Sequence, residues 1–361
     1  MNIRTITVGD LPDFVRSEEF ALLEPSPVTP LRAVSQFKNP NARLDDVALV
    51  LAAENNTLLA FAGILPHTAP GAEDPVFSNS GWWVHPEKGR KLGIPVLLKA
   101  FQLCNRRMFL TDCTAHTKSI LEKPNLFHFV PPVTGCRFFL RFYNGSLLRR
   151  KGKNGLMPFL FSWLDKLFNV PLSVWTLRVQ NRKQYSEFSL NVVKLLGTEH
   201  AAFINKNRGK SFLQQDAGKL NWVVQNPWVT TEKQKTAGDY PFTHKVEQFK
   251  QEFLEIRREK KLVAILLLSV RDNHASVPFF YFEKETLNQV AQLLLRYLFS
   301  IKADSLVVYN PELEKALRKS RRIWIYRKKV VRYAGYSKEI EALFAENGYF
   351  FQDGEADVVF T

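Results

Sequence analysis

The sequence predicts an α/β (α+β) protein made of two tandem domains, each with a mixed, mostly antiparallel sheet flanked by helices. Its 361 residues suit two domains, and its 45% hydrophobic and 24% charged residues are typical of a globular chain. The order of elements, a strand hairpin followed by strand, helix, strand and helix, occurs in both halves. We therefore predict domains at 1–145 and 181–361, joined by a basic and apolar linker at 146–180.

The first half shows this order most clearly. The apolar runs Val47–Ala53 and Leu58–Leu65 flank an asparagine-containing turn, which predicts a hairpin. A third strand, Phe77–His85, leads through the loop Arg90–Pro95 into an apolar helix, Val96–Leu103. The remaining predicted elements are an opening strand at residues 3–7, the strand Arg107–Asp112, the helix Thr117–Glu122 and the strand Cys136–Tyr143.

The predicted linker has an unusual composition. A basic run, Arg149–Lys153, precedes a short apolar and aromatic helix at Phe159–Phe168, and an apolar run at Ser173–Val179 predicts a strand. A basic run beside an apolar helix is typical of helices that lie on membranes. It fits equally well a linker helix buried between two domains.

The second half repeats the pattern of elements. The predicted elements are a strand at Phe188–Leu195, a helix at Glu199–Asn207, a helix or strand at Glu252–Glu259, strands at Leu262–Val270 and Val277–Phe282, a helix at Leu287–Phe299, a strand at Ser305–Tyr309, a helix at Pro311–Lys319 and a closing strand at Asp357–Phe360. Because the parallel is of element order and not of residue identity, it predicts a shared topology.

The charge is unevenly distributed along the chain. The formal net charge is +15, with +2 through Asn144 and +13 after it. Eight basic residues lie within Arg318–Arg332, around Trp324 and Tyr326. This segment is a candidate surface for a polyanion, such as nucleic acid, an acidic glycan or anionic lipid. It also fits a solvated strand whose basic side chains cover apolar surface.

Composition argues against several classes of protein. The N-terminus lacks a secretory pattern, and the longest apolar run, Leu262–Leu268, is too short to cross a bilayer, so we expect a cytoplasmic protein without a transmembrane segment. Three cysteines, Cys104, Cys113 and Cys136, argue against a disulfide framework. No histidine pairs with another histidine or a cysteine at metal-ligand spacing, so we expect no metal.

One passage, Gly81–Ala100, carries a recognisable chemical pattern. A strand ends there, a loop with Arg90 and Gly93 follows, and a helix begins at once. The first amides of a helix lack internal partners and carry the positive end of the helix dipole, and a glycine lets an anion approach the backbone. A loop before a core helix would look similar, so this signal alone is weak.

The residues of this passage resemble a known motif. Val84-His85-Pro86, Arg90-x-x-Gly93-Ile94 and the Leu97-Leu98 helix resemble the acetyl-coenzyme A motif of the GNAT (GCN5-related) N-acetyltransferase superfamily. The resemblance covers the first predicted domain. Three short sequence motifs of the second half are similar to motifs of tandem-GNAT proteins and Fem-type peptidyltransferases. They are Leu220-Asn221-Trp222, Pro227-Trp228 and Asp353-Gly354-Glu355.

The resemblance implies a binding site for acetyl-CoA as co-substrate. The residues that it assigns to the cofactor are Trp82, Trp83, Val84, His85, Arg90, Lys91, Leu92, Gly93 and Ile94. Pro95 departs from the family pattern, because proline suits a helix start but supplies no amide proton to a phosphate. The second domain has two carboxylates and no glycine at its equivalent place, Phe282–Leu287, so we expect that copy not to bind the cofactor.

The resemblance also implies direct transfer of an acetyl group to an amine, with a small molecule or a sugar amine as acceptor. The family's usual acid, a tyrosine, is replaced by Leu121. The candidate catalytic residues are His85, whose imidazole would titrate near neutrality, and Cys113 and His116. Two alternatives stay open: a non-catalytic binding or scaffold protein on degenerate GNAT folds, and a Fem-like transferase that uses aminoacyl-tRNA.

Overall fold

The computed structural model divides the chain into two compact units. Unit 1 comprises Met1–Val133, Leu196–Glu247 and Arg332–Thr361, and unit 2 comprises Thr134–Leu195 and Gln248–Val331. The residues that the structure describes are 2–69, 72–150, 152–153, 155–180, 187–209, 211–213, 215–231, 240–242, 245–319, 324–347 and 352–360.

Strands and helices are interspersed along the described chain. The strands are β1 (Asn2–Thr7), β2 (Val47–Glu54), β3 (Thr57–His67), β4 (Val76–Val84), β5 (Met108–Cys113), β6 (His128–Phe129), β7 (Val133–Phe139), β8 (Phe188–Val193), β9 (Thr230–Thr231), β10 (Lys245–Val246), β11 (Phe249–Arg258), β12 (Lys261–Arg271), β13 (His274–Phe282), β14 (Ser305–Val308) and β15 (Tyr326–Tyr336). The helices are α1 (Leu11–Phe14), α2 (Glu18–Leu22), α3 (Pro30–Phe37), α4 (Gly93–Leu103), α5 (Ala115–Glu122), α6 (Asn144–Arg150), α7 (Leu156–Gln180), α8 (Thr198–Asn207), α9 (Ala217–Gln225), α10 (Leu287–Ser300), α11 (Pro311–Lys319) and α12 (Glu341–Asn347).

Unit 1 is built on a sheet with apolar cores on both faces. Strands β1 to β4 pair antiparallel in sequence order, β5 lies parallel to β4, and the end of β15 pairs antiparallel with β5. Ten of the eleven residues of β3 are buried, and this explains its nearly continuous apolar run. Helix α4 packs on one face of this sheet through its residues Val96 and Leu97. Helices α1 to α3 lie near the other face, where Leu11 and Phe14 of α1 belong to the core.

Unit 2 contains the same arrangement of strands. Strands β8, β11, β12 and β13 are antiparallel neighbours, β14 is parallel to β13, and β7 is antiparallel to β14. Helix α10 presents Val290, Leu294 and Leu298 to the core at a spacing of four residues, so one apolar stripe is buried. The predicted fold class, mixed and mostly antiparallel sheets flanked by helices in a tandem arrangement, is confirmed.

The units differ from the consecutive domains 1–145 and 181–361 that the sequence predicted. The segments Leu196–Glu247 and Arg332–Thr361 belong to unit 1, because the end of β15 completes the sheet beside β5. The net positive charge of the chain lies in unit 2. Unit 2 contains 28 basic and 11 acidic residues, a net +17, and unit 1 contains 22 and 24, a net −2.

Two local predictions need correction, and the structure decides a third that was left open. Ser173–Val179 is not a strand, because α7 continues as one helix through Pro171 to Gln180. The segment Asp357–Phe360 ends in a 3-10 turn at Val358–Phe360 rather than a strand. The ambiguous Glu252–Glu259 lies mostly in strand β11, because Phe253 and Leu254 face partners in β12. Short apolar runs fit a helix and a strand about equally well, so tertiary pairing decides between them.

Within the part of the chain that the structure describes, no helix is long and apolar enough to cross a membrane.

Phe138 tests the core of unit 2. It is 1% exposed and lies edge-on to Trp324, with ring centroids 6.0 Å apart. We expect Phe138→Ala to lower the free energy of unfolding of this unit by about 3–5 kcal/mol, because the truncation leaves a cavity. Leu195→Ala, at a position 48% exposed, should change it by less than about 0.5 kcal/mol. Equal shifts of the denaturant midpoint for both variants would contradict this description of the core.

Candidate functional site

Strands β4 and β5 separate along most of their length. The two strands pair only at Phe77 with Met108 and Ser78 with Phe109. Beyond Ser78, β4 continues to Val84 with β3 as its strand partner, and the edge that faces β5 has none within the described sheet. This edge therefore offers backbone donors and acceptors to an extended ligand, as the edge of any unpaired strand does.

A bulge bends β4 where the separation begins. The register between β3 and β4 shifts between Ala62 and Ile64, and Gly81 has φ of +137°, which favours glycine. The Asn79 side-chain amide donates to the carbonyl of Gly63 at 3.2 Å and to that of Gly81 at 3.3 Å, so it bridges the bulge. The bulge turns the second half of β4 away from the first.

Helix α4 starts directly after the free end of β4. Its N-cap residue, Leu92, makes no side-chain capping bond, so the first amides are not occupied by a side chain. Gly93 packs against β4, because a Cβ atom there would lie 2.6 Å from Val84 Cγ2. Trp82 Nε1 donates to the Gly93 carbonyl at 3.0 Å. The helix start is thus fixed against the free part of the strand.

The structure brings most of the predicted cofactor residues to this place. Trp82 and Val84 pack on the face of the sheet that α4 covers, while Trp83 lies on the opposite face, stacked on Phe61. The other predicted residues follow at the start of α4: Arg90, Lys91 and Ile94 are exposed, and Leu92 and Gly93 are buried. The cations and the uncapped amides therefore form an anion-attracting end of the helix.

The three predicted catalytic residues have different surroundings. His85 Nδ1 accepts hydrogen bonds from the amides of Glu87 and Lys88, both at 3.2 Å, so the neutral imidazole carries its proton on Nε2. This hydrogen bonding organises the turn after β4 and leaves no free basic nitrogen. His116 is exposed in the first turn of α5.

Cys113 lies at the end of β5. Its thiol donates to the Tyr333 carbonyl, with a distance of 3.4 Å from Sγ to oxygen. Burial, with a smaller contribution from Asp112, raises the pKa of Cys113 to about 12. The group is therefore a neutral thiol at physiological pH. Leu121 is 1% exposed and belongs to the apolar core.

A buried polar cluster lies on the opposite face of the sheet, at the bulge. The Arg32 guanidinium donates to the carbonyl and hydroxyl of Ser80 and to the Tyr240 hydroxyl. It also lies 4.3 Å from the centre of the Trp228 ring, a cation–π contact. Ser80 is the second residue after the pairing of β4 with β5 ends. Arg32 is therefore held beside the point where the two strands begin to separate.

The C-terminal segment brings three carboxylates to the same region. Arg332 Nη1 contacts Asp353 Oδ1 at 2.5 Å, and the Thr111 hydroxyl donates to the Glu355 carbonyl at 3.3 Å. Thr111 lies in the part of β5 that has separated from β4. The segment is held in place at its end, where Phe360 stacks on Trp228 with ring centroids 4.4 Å apart.

Desolvation is the largest cause of the raised pKa values of these three carboxylates; Asp353 and Glu355 are buried, and Asp357 is half-buried. Burial raises the pKa of Asp353 to about 6 against the opposing effect of Arg332, and raises that of Asp357 to about 6 against Arg32. Glu355 is fully buried. Burial raises the pKa of Glu355 well above its usual range, although the Gln352 and Leu213 amides and Arg332 oppose the rise.

Sequence reasoning missed this cluster. Arg32 and Tyr240 are 208 residues apart, and no local pattern connects them. The alternation of Asp353, Glu355 and Asp357 beside a hydrophobic C-terminus was a weak signal for buried acids. The motif Asp353-Gly354-Glu355, which is similar to motifs of other proteins, indicated that this segment carries functional residues. It did not predict where the segment lies in the fold.

Unit 2 has a comparable strand separation with different chemistry. Strands β13 and β14 pair from His274 to Ser276 only, and α10 follows β13. At the start of that helix Glu283 contacts Lys261, with 2.8 Å between Oε2 and Nζ. A carboxylate paired with a lysine therefore stands where unit 1 has Arg90 and the uncapped start of α4.

Solved structures of acyltransferases are similar to this chain. N-myristoyltransferase from Saccharomyces cerevisiae with bound myristoyl-CoA has a TM-score of 0.51 at 10% identity, over 93% of this chain and 78% of that chain. A probable N-acyltransferase from Enterococcus faecalis has a TM-score of 0.51 at 8% identity, over 96% and 74%. A GCN5-related N-acetyltransferase from Kribbella flavida has a TM-score of 0.46 at 12% identity, over 93% and 71%.

No protein-family model matches the sequence, and no curated protein matches it. The structure is confirmed to be similar in fold to solved acyltransferases.

Asp357 gives the polar cluster a measurable pH signature. Its pKa rises from 3.8 unfolded to about 6 folded, so its stabilising contribution is complete below pH 3.8 and is lost as pH rises through 6. Asp357→Asn keeps a neutral side chain at every pH. We expect the stability of this variant relative to wild type to rise by roughly 2 kcal/mol between pH 4 and 7. Asp13→Asn, on an exposed carboxylate of the same unit, is the matched control. A flat difference for Asp357→Asn would contradict the buried environment.

Proposed function

We propose that this chain is an acyl-coenzyme A-dependent N-acyltransferase, and specifically that unit 1 transfers an acetyl group to an amine. The observation that carries the proposal is the separation of β4 from β5, with an uncapped helix start beside it and buried carboxylates on the other face. One side of this arrangement fits an anionic donor and the other side fits a cationic acceptor.

The donor side fits coenzyme A in two respects. The free edge of β4 from Asn79 to Val84 can hydrogen-bond an extended amide-containing arm as an added strand would. The amides of Gly93 and Ile94, with the exposed Arg90 and Lys91, can hold a pyrophosphate. Pro95 supplies no amide, so one contact is missing and the two cations have a larger share of the binding. When bound, coenzyme A supplies a thioester-activated acyl group.

The acceptor side fits an amine. An amine reaches the protein mainly as an ammonium ion and must lose a proton before it can attack. Asp357, with a pKa of about 6, is suited to accept that proton near neutral pH. Asp357 therefore takes the role of base in this proposal, since His85 has its basic nitrogen occupied and Cys113 holds its proton tightly.

The acceptor in this proposal is a small molecule or a sugar amine. A second candidate function is a binding protein without turnover, and one observation favours it. Leu121 stands where the family usually has its general acid, and it is buried in the core. A leucine has no proton to donate to a leaving thiolate. His116 and Cys113 are the nearest substitutes along the chain in this proposal.

Charge reversal at the helix start tests the donor site. We expect Arg90→Glu combined with Lys91→Glu to weaken binding of acetyl-CoA by roughly a hundredfold in titration calorimetry, because two attractions to the pyrophosphate become repulsions. Lys99→Glu, which makes the same type of change on an exposed position of α4, should weaken it by less than about threefold. Wild-type protein that binds neither acetyl-CoA nor longer acyl-CoA would refute the proposed donor.

Asp357→Asn separates catalysis from binding. With a panel of amines and a thiol reagent that detects released coenzyme A, we expect its kcat to fall by roughly 10²–10⁴-fold, since no base remains. Its affinity for acetyl-CoA should be unchanged. Denaturant unfolding of the variant at the same pH shows whether a loss of activity comes from unfolding. Tight coenzyme binding by wild type without turnover of any amine would favour the binding protein.

A further inference from the structure

Helix α7 of unit 2 exposes an apolar face to solvent. Among the residues of α7 whose side chains the structure describes, ten large apolar ones are exposed. They include Phe159 at 68%, Trp163 at 58%, Leu167 at 52% and Val170 at 65%. An apolar face of this extent on a soluble protein marks a surface that is covered in its working environment.

The polar side chains of α7 point inward instead. Asp165 accepts from the Gly145 amide at 2.8 Å and from the Asn144 side chain at 3.1 Å. Asn169 donates to the Phe142 carbonyl and accepts from its amide, at 2.8 and 2.9 Å. These bonds fix the rotation of the helix about its axis. The apolar face is therefore held outward by specific bonds and is not the result of a loosely packed segment.

The backbones of α6 and α7 are in close contact at one point. A Cβ atom on Gly145 would lie 2.6 Å from the Ser162 amide nitrogen, so only glycine fits there. This contact reinforces the same orientation. The pattern is the reverse of a helix that packs on a water-soluble core, in which the apolar stripe faces inward.

Positive charge surrounds this apolar face in the sequence. Between Arg149 and Lys183 there are eight basic residues and one acidic residue, Asp165, which is buried. Unit 2 as a whole carries +17, whereas unit 1 carries −2. The exposed residues Arg327, Lys328 and Lys329 of β15 add to the positive surface of this unit.

We propose that α7 is an interfacial membrane helix that docks unit 2 on the surface of an anionic phospholipid bilayer. The apolar side chains enter the boundary between headgroups and acyl chains, and the basic residues contact lipid phosphates. The helix lies in the plane of the interface, because no described helix of this chain is long and apolar enough to span. This inference concerns unit 2 and does not depend on the function proposed for unit 1.

The combination of charge and apolar surface favours a lipid surface over two other occupants. Nucleic acid would use the positive charge, but it offers no apolar layer for Phe159 or Leu167. A second copy of this chain would cover the apolar face, but it would bring two strongly positive units together. An anionic bilayer satisfies both features at once.

Vesicle sedimentation tests this docking. We expect the wild-type chain to bind phosphatidylcholine vesicles that contain about one quarter phosphatidylglycerol at least ten times more strongly than pure phosphatidylcholine vesicles, because the anionic surface attracts the basic residues. Phe159→Ser combined with Leu167→Ser should reduce binding to the anionic vesicles by roughly tenfold or more, since it removes buried apolar area. Leu22→Ser combined with Leu44→Ser, on leucines of unit 1 that are about equally exposed, should bind as wild type does.

Depth is read from tryptophan quenching by brominated lipids in the same vesicles. Shallow bromines should quench the fluorescence more than deep ones, and Trp163→Phe should remove most of this quenching. Circular dichroism of each variant checks that helix content is kept. The proposal is overturned if wild type does not bind the anionic vesicles, or if the Phe159/Leu167 variant binds them unchanged. Sedimentation velocity gives a further test. The proposal is also overturned if the wild-type chain forms a dimer that does not bind vesicles, and if the Phe159/Leu167 substitutions dissociate this dimer.

Discussion

The architecture of unit 1 depends on how β4 leaves β5 after two paired residues. A parallel strand pair that stayed together would close the edge of β4 and leave no room for a ligand along it. The bulge at Gly63 and Gly81 bends the strand at this point, and Gly81 adopts a backbone conformation that other residues rarely take. The start of α4 on one face and the polar cluster on the other both follow from this separation.

The polar cluster lowers the stability of the fold. A fully buried carboxyl group such as Glu355 costs stability when it is ionised, and burial opposes the ionised forms of Asp353 and Asp357 as well. Buried arginines offset part of this cost. Arg332 is paired with Asp353, and Arg32 is fixed by Ser80, Tyr240 and the Trp228 ring. Strained electrostatics of this kind are common where a protein must change the protonation of a ligand.

The two units divide the physical properties of the chain. Unit 1 is almost neutral and contains the uncapped helix start with its few local cations, whereas unit 2 contains the positive charge and the exposed apolar face of α7. The repeated topology of strands therefore does not imply repeated chemistry. Before the corresponding helix of unit 2, Glu283 forms an ion pair with Lys261, whereas unit 1 has the cations Arg90 and Lys91 there.

The sequence by itself determined the fold class, the strand hairpins, the β4–loop–α4 passage and the resemblance to GNAT proteins. These features follow from local periodicity, turn residues and short motifs, which neighbouring residues encode. Tertiary structure decided the rest. The pairing of β15 with β5 assigned the C-terminal segment to unit 1, and it brought Asp357 and Arg32 together across more than 300 residues. It also decided which face of α7 points outward, because Asp165 and Asn169 bond to a loop whose position only the folded chain defines. Contacts between residues far apart in sequence leave no periodic signal, so a single chain read locally does not reveal them.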